Sequence, residues 1–313
     1  MTPQTPRFRF PFGPHHPRNP GDAWAVGPDG TRYWGRFGAA GLLAYDSRTA
    51  ALLLQHRAAW SHFGGTWGLP GGARHEGEAA RDAALREAAE EAGVPDGACR
   101  ARMMSVLDLD FWSYTTVIAD VVVPFEPSIT DAESAELAWV AVQDVDARPL
   151  HPGFAAAWPS LRDLLELRPV VVVDIANVMG STPDGWWRDR AGAAGRLVRR
   201  LADRAVEGIP GDALDLPGDV WFPEWIAVVE GQARRVAAPA DLDQVALEVR
   251  PAAGAGDDEI VAQAHQALRS GRMVIVVTSD RGLTARVTEL GAQTRTSGWL
   301  LALLSESPGR PRA

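Results

Sequence analysis

One cysteine, Cys99, stands among 313 residues. It cannot form an internal disulfide, and nothing argues for an oxidising compartment. Long apolar runs are missing too, since none reaches the roughly 18 residues that span a bilayer. The N-terminal stretch MTPQTPRFRFPFGPHHPRNP has no apolar h-region, so it does not read as a secretory signal. An excess of positive charge is also lacking: 40 acidic against 31 basic residues leave −9. Such a diffuse negative field does not suit broad, non-specific capture of a polyanion. It does suit sites that concentrate carboxylates around metal ions. No internal repeat is visible. These absences lead to the expectation of a cytoplasmic protein with no membrane partner. What is present is ordinary for a globular chain, with 46% apolar and 23% charged residues. The length favours two domains.

Proline recurs too often in residues 1–35 for a helix or central strand, so an extended arm is expected there. Arg7, Arg9, His15 and His16 make it either a phosphate-gripping arm or a tail lying on the fold. From Phe37 the pattern changes. GAAGLLAY and AALLLQHRA read as a strand hairpin turning at Asp46-Ser47-Arg48. A loop rich in Gly and aromatics, SHFGGTWGLPGG, leads to a helix over 76–92 closed by Gly93. Strands follow near 103–108 and 111–125, then AELAWVAV. The spacing of Phe154, Trp158, Leu161 and Leu165 predicts a helix, and the first domain ends near Leu167. PVVVVD then opens a second domain. A strand so uniformly apolar suits a parallel sheet covered on both faces. WIAVVEG and MVIVVTSD repeat the pattern, with helices between them and loops over 207–219 and 236–256.

Two groups of residues point to chemistry. On the first helix, Glu87, Glu90 and Glu91 are related by i+3 and i+4, so they share one face. Three carboxylates facing one way repel unless they are solvated or bind cations, and hard oxygen ligands select Mg²⁺ or Mn²⁺. Arg86 can hold one of them in a fixed rotamer. Gly71 and Gly72 allow a main-chain carbonyl to approach a metal. Taken alone, the glutamates favour a solvated face of an Ala-rich helix. The second group sits at strand ends: Asp174 after VVVV, Glu230 after WIAVV and Asp280 after MVIVVTS, with Asp257 and Asp258 opening a helix. Ligands of open α/β sheets bind at such ends. Taken singly, Asp257 and Asp258 read rather as helix caps and Asp280 as a turn residue. Their shared position at strand ends points to a site.

The first group lies in a longer pattern: Gly72, Glu78, Arg86, Glu87, Glu90, Glu91, Gly93 and Val94, at the spacing of a Nudix box. The one departure is Ala88 where a bulkier aliphatic is usual. With the lead-in TWGLPGG, residues 36–167 resemble a Nudix domain of the MutT-like branch. The resemblance implies an α+β fold with a mixed sheet, and an enzyme that hydrolyses a nucleoside diphosphate linkage. It implies Mg²⁺ (or Mn²⁺) held by Glu87, Glu90 and Glu91 with the Gly72 carbonyl. Catalysis then falls to Glu87, Glu91 and Arg86, with Glu78 bracing the loop. The general base is left among Glu87, Glu126, Glu133 and Glu136. Arg57 is the expected phosphate contact. Trp67, in a loop with Trp60, His62 and Phe63, either stacks a base or packs the rim.

The stretch of about 168–303 resembles the NYN family of PIN-like nucleases, closest to its YacP-like branch. The resemblance is carried by VVDIANVMGS, VVE, AGDDEIV and VTSDRGL. It implies a parallel-sheet α/β domain with a second site at Asp174, Asn177, Glu230, Asp257 and Asp280, and RNA as a partner. Glu230 departs from the usual Asp. Arg196, Arg199, Arg200 and Arg204 offer either a basic face or a solvated one. The expected whole is an α/β chain. It has an arm (1–35), a nucleotide-hydrolysing domain (36–167) and a PIN-like domain (168–313). The alternative is a nucleotide-sensing or RNA-processing protein whose nuclease carries the activity.

Overall fold

The computed structural model describes residues 20–183, 185–236 and 246–305. Arg7, Arg9, His15 and His16, the possible phosphate grip, lie outside the described residues. The chain divides into two compact units. The first holds Met1–Cys99, Val106–Val117 and Val121–Ala156; the second holds Arg100–Ser105, Ile118–Asp120 and Ala157–Ala313. Among the described residues no helix is long and apolar enough to cross a membrane.

The first unit begins with a hairpin, β1 (Trp24–Val26) and β2 (Arg32–Trp34), where the prolines predict only an extended arm. Three-residue strands are too short to show alternation. They are held by cross-strand pairing of Trp24 with Trp34 and by Tyr33, which stacks on Trp112 at 4.5 Å. The predicted hairpin follows as β3 (Ala39–Asp46) and β4 (Ala51–Arg57). Its turn is tied by the Asp46 carboxylate, which accepts from the Arg48 amide at 3.0 Å and from its guanidinium at 2.8 and 2.9 Å. Then come β5 (Trp67–Gly68), β6 (Gly71–Ala73), α1 (Ala80–Ala92), β7 (Cys99–Asp108), β8 (Ser113–Val121), β9 (Ser134–Ala141) and α2 (Pro152–Leu164). β4 pairs antiparallel with β5 and β9, and β3 with β4 and β6, within a mixed sheet. β3 is buried along its whole length because α1 packs on it. α1 starts four residues later than the sequence suggests, since Glu78 is spent on closing the preceding loop. It ends as predicted at Gly93, whose φ of 64° is the left-handed region that favours glycine.

The second unit runs β10 (Pro169–Asp174), α3 (Ile175–Gly180), α4 (Arg190–Glu207), β11 (Ile209–Pro210), β12 (Val220–Trp221), β13 (Glu224–Val229), β14 (Leu247–Pro251), α5 (Gly256–Arg269), β15 (Met273–Val277), α6 (Arg281–Glu289), β16 (Gln293–Arg295) and α7 (Ser297–Leu303). Five strands make a parallel sheet in the order β14-β13-β10-β15-β16. β10 is its centre, and all six of its residues are buried, as its unbroken apolar run predicts. Two of the predicted loops contain strands. β11 and β12 pair within 207–219 and just beyond, and β12 continues onto Met103 and Met104. β14 lies within 236–256 as an edge strand. Edge strands carry charge, here Glu248 and Arg250, which hides them from an apolar-run criterion.

Candidate active site

α1 and the β6 loop assemble the first site. Arg86 is its hub. Its guanidinium grips Glu78 with two bonds, Nε to Oε1 at 2.9 Å and Nη2 to Oε2 at 3.0 Å. Nη1 reaches Glu87 at 2.6 Å and Glu90 at 3.2 Å, and Nη2 also donates to the Ala73 carbonyl at 3.0 Å. The His75 amide donates to Glu78 at 2.8 Å, so Glu78 pins the loop leading into α1. The carboxylate of Glu87 lies against Gly72: a Cβ there would come within 2.5 Å of Oε2. A Cβ there would displace the Glu87 carboxylate, the movable end of its side chain.

Glu91 is the deepest of the set, 7% exposed. Its Oε2 accepts from the Gly71 amide at 2.8 Å and from Gln55 at 3.3 Å. The Gln55 amide also donates to Ser134, whose hydroxyl donates to Asp131 at 3.0 Å. Gln55, Ser134 and Asp131 were not singled out as site residues from the sequence. A glutamine interrupting the apolar run LLLQ was the available signal, because a buried amide needs partners.

Burial pushes Glu87 up to about 7 against the pull of Arg86. Burial also raises Glu91 well above the usual carboxylate range, with the negative charge of Glu87 and Asp131 adding to it. Glu133 is raised by burial too, while Arg57, 3.8 Å away, opposes that shift. Glu126 and Glu136 are exposed, and the Glu133 side chain is 51% exposed.

Three carboxylates, Glu78, Glu87 and Glu90, thus face one guanidinium, with the buried Glu91 on the same helix adding a fourth negative charge. Hard, crowded oxygen donors of this kind fit a divalent cation. As the side chains stand, no three acidic, His or Cys groups among the described residues converge into a metal cage. Arg86 lies between the carboxylates instead.

Trp67 is 4% exposed, with His56 stacked at 4.9 Å and Arg148 4.6 Å from its ring centre. Of the two readings of Trp67, base stacking or packing, this enclosure supports packing. Arg57 donates from Nε to the His62 carbonyl at 3.0 Å, which holds it beside the carboxylates.

In the second unit the acids lie near one another at the strand ends, and Asp174, Glu230 and Asp280 each make a structural bond. Asp174 caps the Asn177 amide at 3.0 Å and accepts from Thr278 at 2.9 Å. Asn177 accepts from the Ser279 amide at 2.8 Å and from the Ser297 hydroxyl at 2.6 Å. Glu230 accepts from the Gly256 amide at 2.7 Å, holding the start of α5, and Asp280 caps Leu283 at 2.7 Å. Burial raises Asp174, with Asp257 and Glu230 adding to it. Asp257 is raised by burial, with Asp280 and Glu230 adding. Arg204 leaves the expected basic face: it is 7% exposed and donates to the Leu303 carbonyl at 2.9 Å.

The fold and the α1 site are those of a nucleotide-cleaving Nudix domain, and the family model for the NUDIX domain matches residues 35–164. The chain belongs to the Nudix family and is a Nudix pyrophosphohydrolase. It is 50% identical over 154 residues to "Putative 8-oxo-dGTP diphosphatase 3" of Mycobacterium tuberculosis, covering 46% of this chain and 70% of that one. A "Nucleoside triphosphate pyrophosphatase/Nudix hydrolase fusion protein" of Bifidobacterium longum is 39% identical over 147 residues, 45% of this chain and 30% of that protein. Among solved structures, the Nudix hydrolase RenU of M. smegmatis is 48% identical, covering 46% of this chain and 94% of its own, with a TM-score of 0.43. The family match ends at residue 164, before β10, the first strand of the parallel sheet.

Proposed function

We propose that this protein hydrolyses nucleoside triphosphates, and among them oxidised purine triphosphates of the 8-oxo-dGTP kind, at its α1 site. The observation that carries the reading is the buried pair Glu87 and Glu91 on α1, Glu87 against Gly72 and bonded to Arg86, Glu91 accepting from the Gly71 amide. Glu87, Glu90, Glu91 and the Gly72 carbonyl would hold Mg²⁺ or Mn²⁺, which supplies charge neutralisation at the diphosphate and an acidified water. Arg86 fixes the rotamers of Glu87 and Glu90 and ties them to Glu78. Glu91 is oriented by the Gly71 amide and Gln55. Arg57 meets a phosphate. The proton of the attacking water goes to Glu87 or Glu133, both held above the ordinary carboxylate range. The half-identical relative described as an 8-oxo-dGTP diphosphatase supports the substrate class. The test is a panel of triphosphates, dinucleoside polyphosphates and sugar nucleotides with Mg²⁺ or Mn²⁺. Release of pyrophosphate from 8-oxo-dGTP, lost in Glu91→Gln, is the expected result. A Glu91→Gln variant with the rate of the unmodified protein overturns the site.

A second reading concerns residues 168–313, taken as a domain beside 1–35 and 36–167. The mutual electrostatic pressure of Asp174, Glu230, Asp257 and Asp280 favours a PIN-like nuclease site with Asn177 as its organiser, acting on RNA. Metal-dependent cleavage of single-stranded RNA that disappears in Asp174→Asn is expected. Cleavage untouched by that change refutes it.

A further inference from the structure

Arg57 links two groups of side chains: it lies 3.8 Å from Glu133, and its Nε donates to the His62 carbonyl at 3.0 Å. A run of rings extends on the His62 side. Trp24 meets His62 edge-on at 5.5 Å, His62 meets Phe63 at 4.2 Å, and Phe63 meets His151 at 4.7 Å. These rings are not sealed into the core: Trp24 is 38% and Phe63 46% exposed.

The backbone holds this arrangement at a cost. Phe63 has φ 55°, in the left-handed region where a bulky residue is strained. Glycines stand at 64 and 65, so chain reversal alone does not demand an aromatic in that conformation. The ring is held there by its edge-on contacts with His62 and His151. The loop is braced around it, with the Ser61 amide on the Ala58 carbonyl at 2.9 Å and the Thr66 hydroxyl on the Phe63 carbonyl at 2.6 Å. On the other flank, the Trp112 indole donates to the Trp34 carbonyl at 3.1 Å and steadies the hairpin that carries Trp24. His151 accepts from the Gly153 amide at Nδ1, at 3.2 Å. Its neutral ring therefore carries the proton on Nε2, as a donor.

We propose that Trp24, His62, Phe63 and His151 form the wall that takes the nucleobase of a nucleoside triphosphate, with Arg57 on the side of its phosphates. This rests on the triphosphate reading of the α1 site. Flat aromatic faces stack a base, the imidazoles offer polar atoms for its edge, and the adjoining cation and carboxylates suit the polyphosphate. Trp67 takes no part, because its ring is enclosed.

The test compares dGTP with ribose 5-triphosphate, which has the phosphates but no base. Phe63→Ala and Trp24→Ala should each raise KM for dGTP by about 5- to 150-fold, the range of one lost base stack. Turnover number should stay within about twofold, and ribose 5-triphosphate hydrolysis should not change. Phe63→Trp should keep most of the dGTP affinity, which separates stacking from loop damage. Equal losses on both substrates, or no loss on dGTP, overturn the wall. If the unmodified protein turns over neither compound, the hydrolase reading fails instead. Calorimetric binding of dGMP, weaker in Phe63→Ala, then tests the wall by itself, and unchanged binding refutes it.

Discussion

Replacing Arg86 with Met would test whether one guanidinium organises the α1 site. The change keeps the aliphatic stem and removes both bonds to Glu78, the bonds to Glu87 and Glu90, and the one to Ala73. Glu78 and Glu87 are 15% and 14% exposed, so water cannot replace the lost partner fully. Removing one member of a buried ion pair costs about 3–5 kcal/mol. Glu87 can escape part of that by taking a proton, since it already sits near 7. We expect a loss of about 3 kcal/mol at pH 7.5 and a smaller one at pH 5.5, where Glu87 is protonated. For a domain of this size that lowers Tm by roughly 6–12 °C. Scanning calorimetry of the whole chain reads the shift in the transition of the first unit. Mg²⁺ should reduce the loss by compensating the freed carboxylates. Arg86→Lys should recover only part of it, because an ammonium cannot make the fork onto Glu78. A loss under about 1 kcal/mol, or full rescue by lysine, refutes the hub.

Two smaller predictions concern the same unit. Gly72→Ala drives a Cβ into the Glu87 carboxylate, the movable end of a side chain. Activity should fall about tenfold or more while Tm changes little, because the misplaced group is a site residue rather than core. A fall in Tm with unchanged turnover contradicts the reasoning. His151 has its pKa pushed down to about 4 by burial, with Arg57 and His62 adding. The unfolded chain then binds more protons between about 6.5 and 4, so stability is full above that window and is lost as pH falls through it. Urea titrations across this range should show a shallower acid loss in His151→Asn, and parallel curves would rule the effect out.

Much of the site was legible without a structure because its logic is local. Arg86, Glu87, Glu90 and Glu91 lie within two turns of one helix, and helical spacing alone puts the acids together. Gly93 ends that helix for a reason written in its own backbone. β10 declared itself because a strand covered on both faces must be apolar throughout. The partners of Glu91 were hidden for the opposite reason. Gln55 and Ser134 come from different strands, 79 residues apart, and meet only because β4 pairs with β9.

By itself, then, the sequence determined the family, the helix that carries the acids and the parallel-sheet unit behind it. These follow from short-range spacing and from runs of apolar residues. Tertiary structure alone decided which aromatic rings stay open. Trp67 is shut in by Arg148 from a distant segment, while Trp24, in a stretch with no regular pattern, is brought against His62. Burial and ring contact depend on what the rest of the chain packs against a residue, and no local pattern records that.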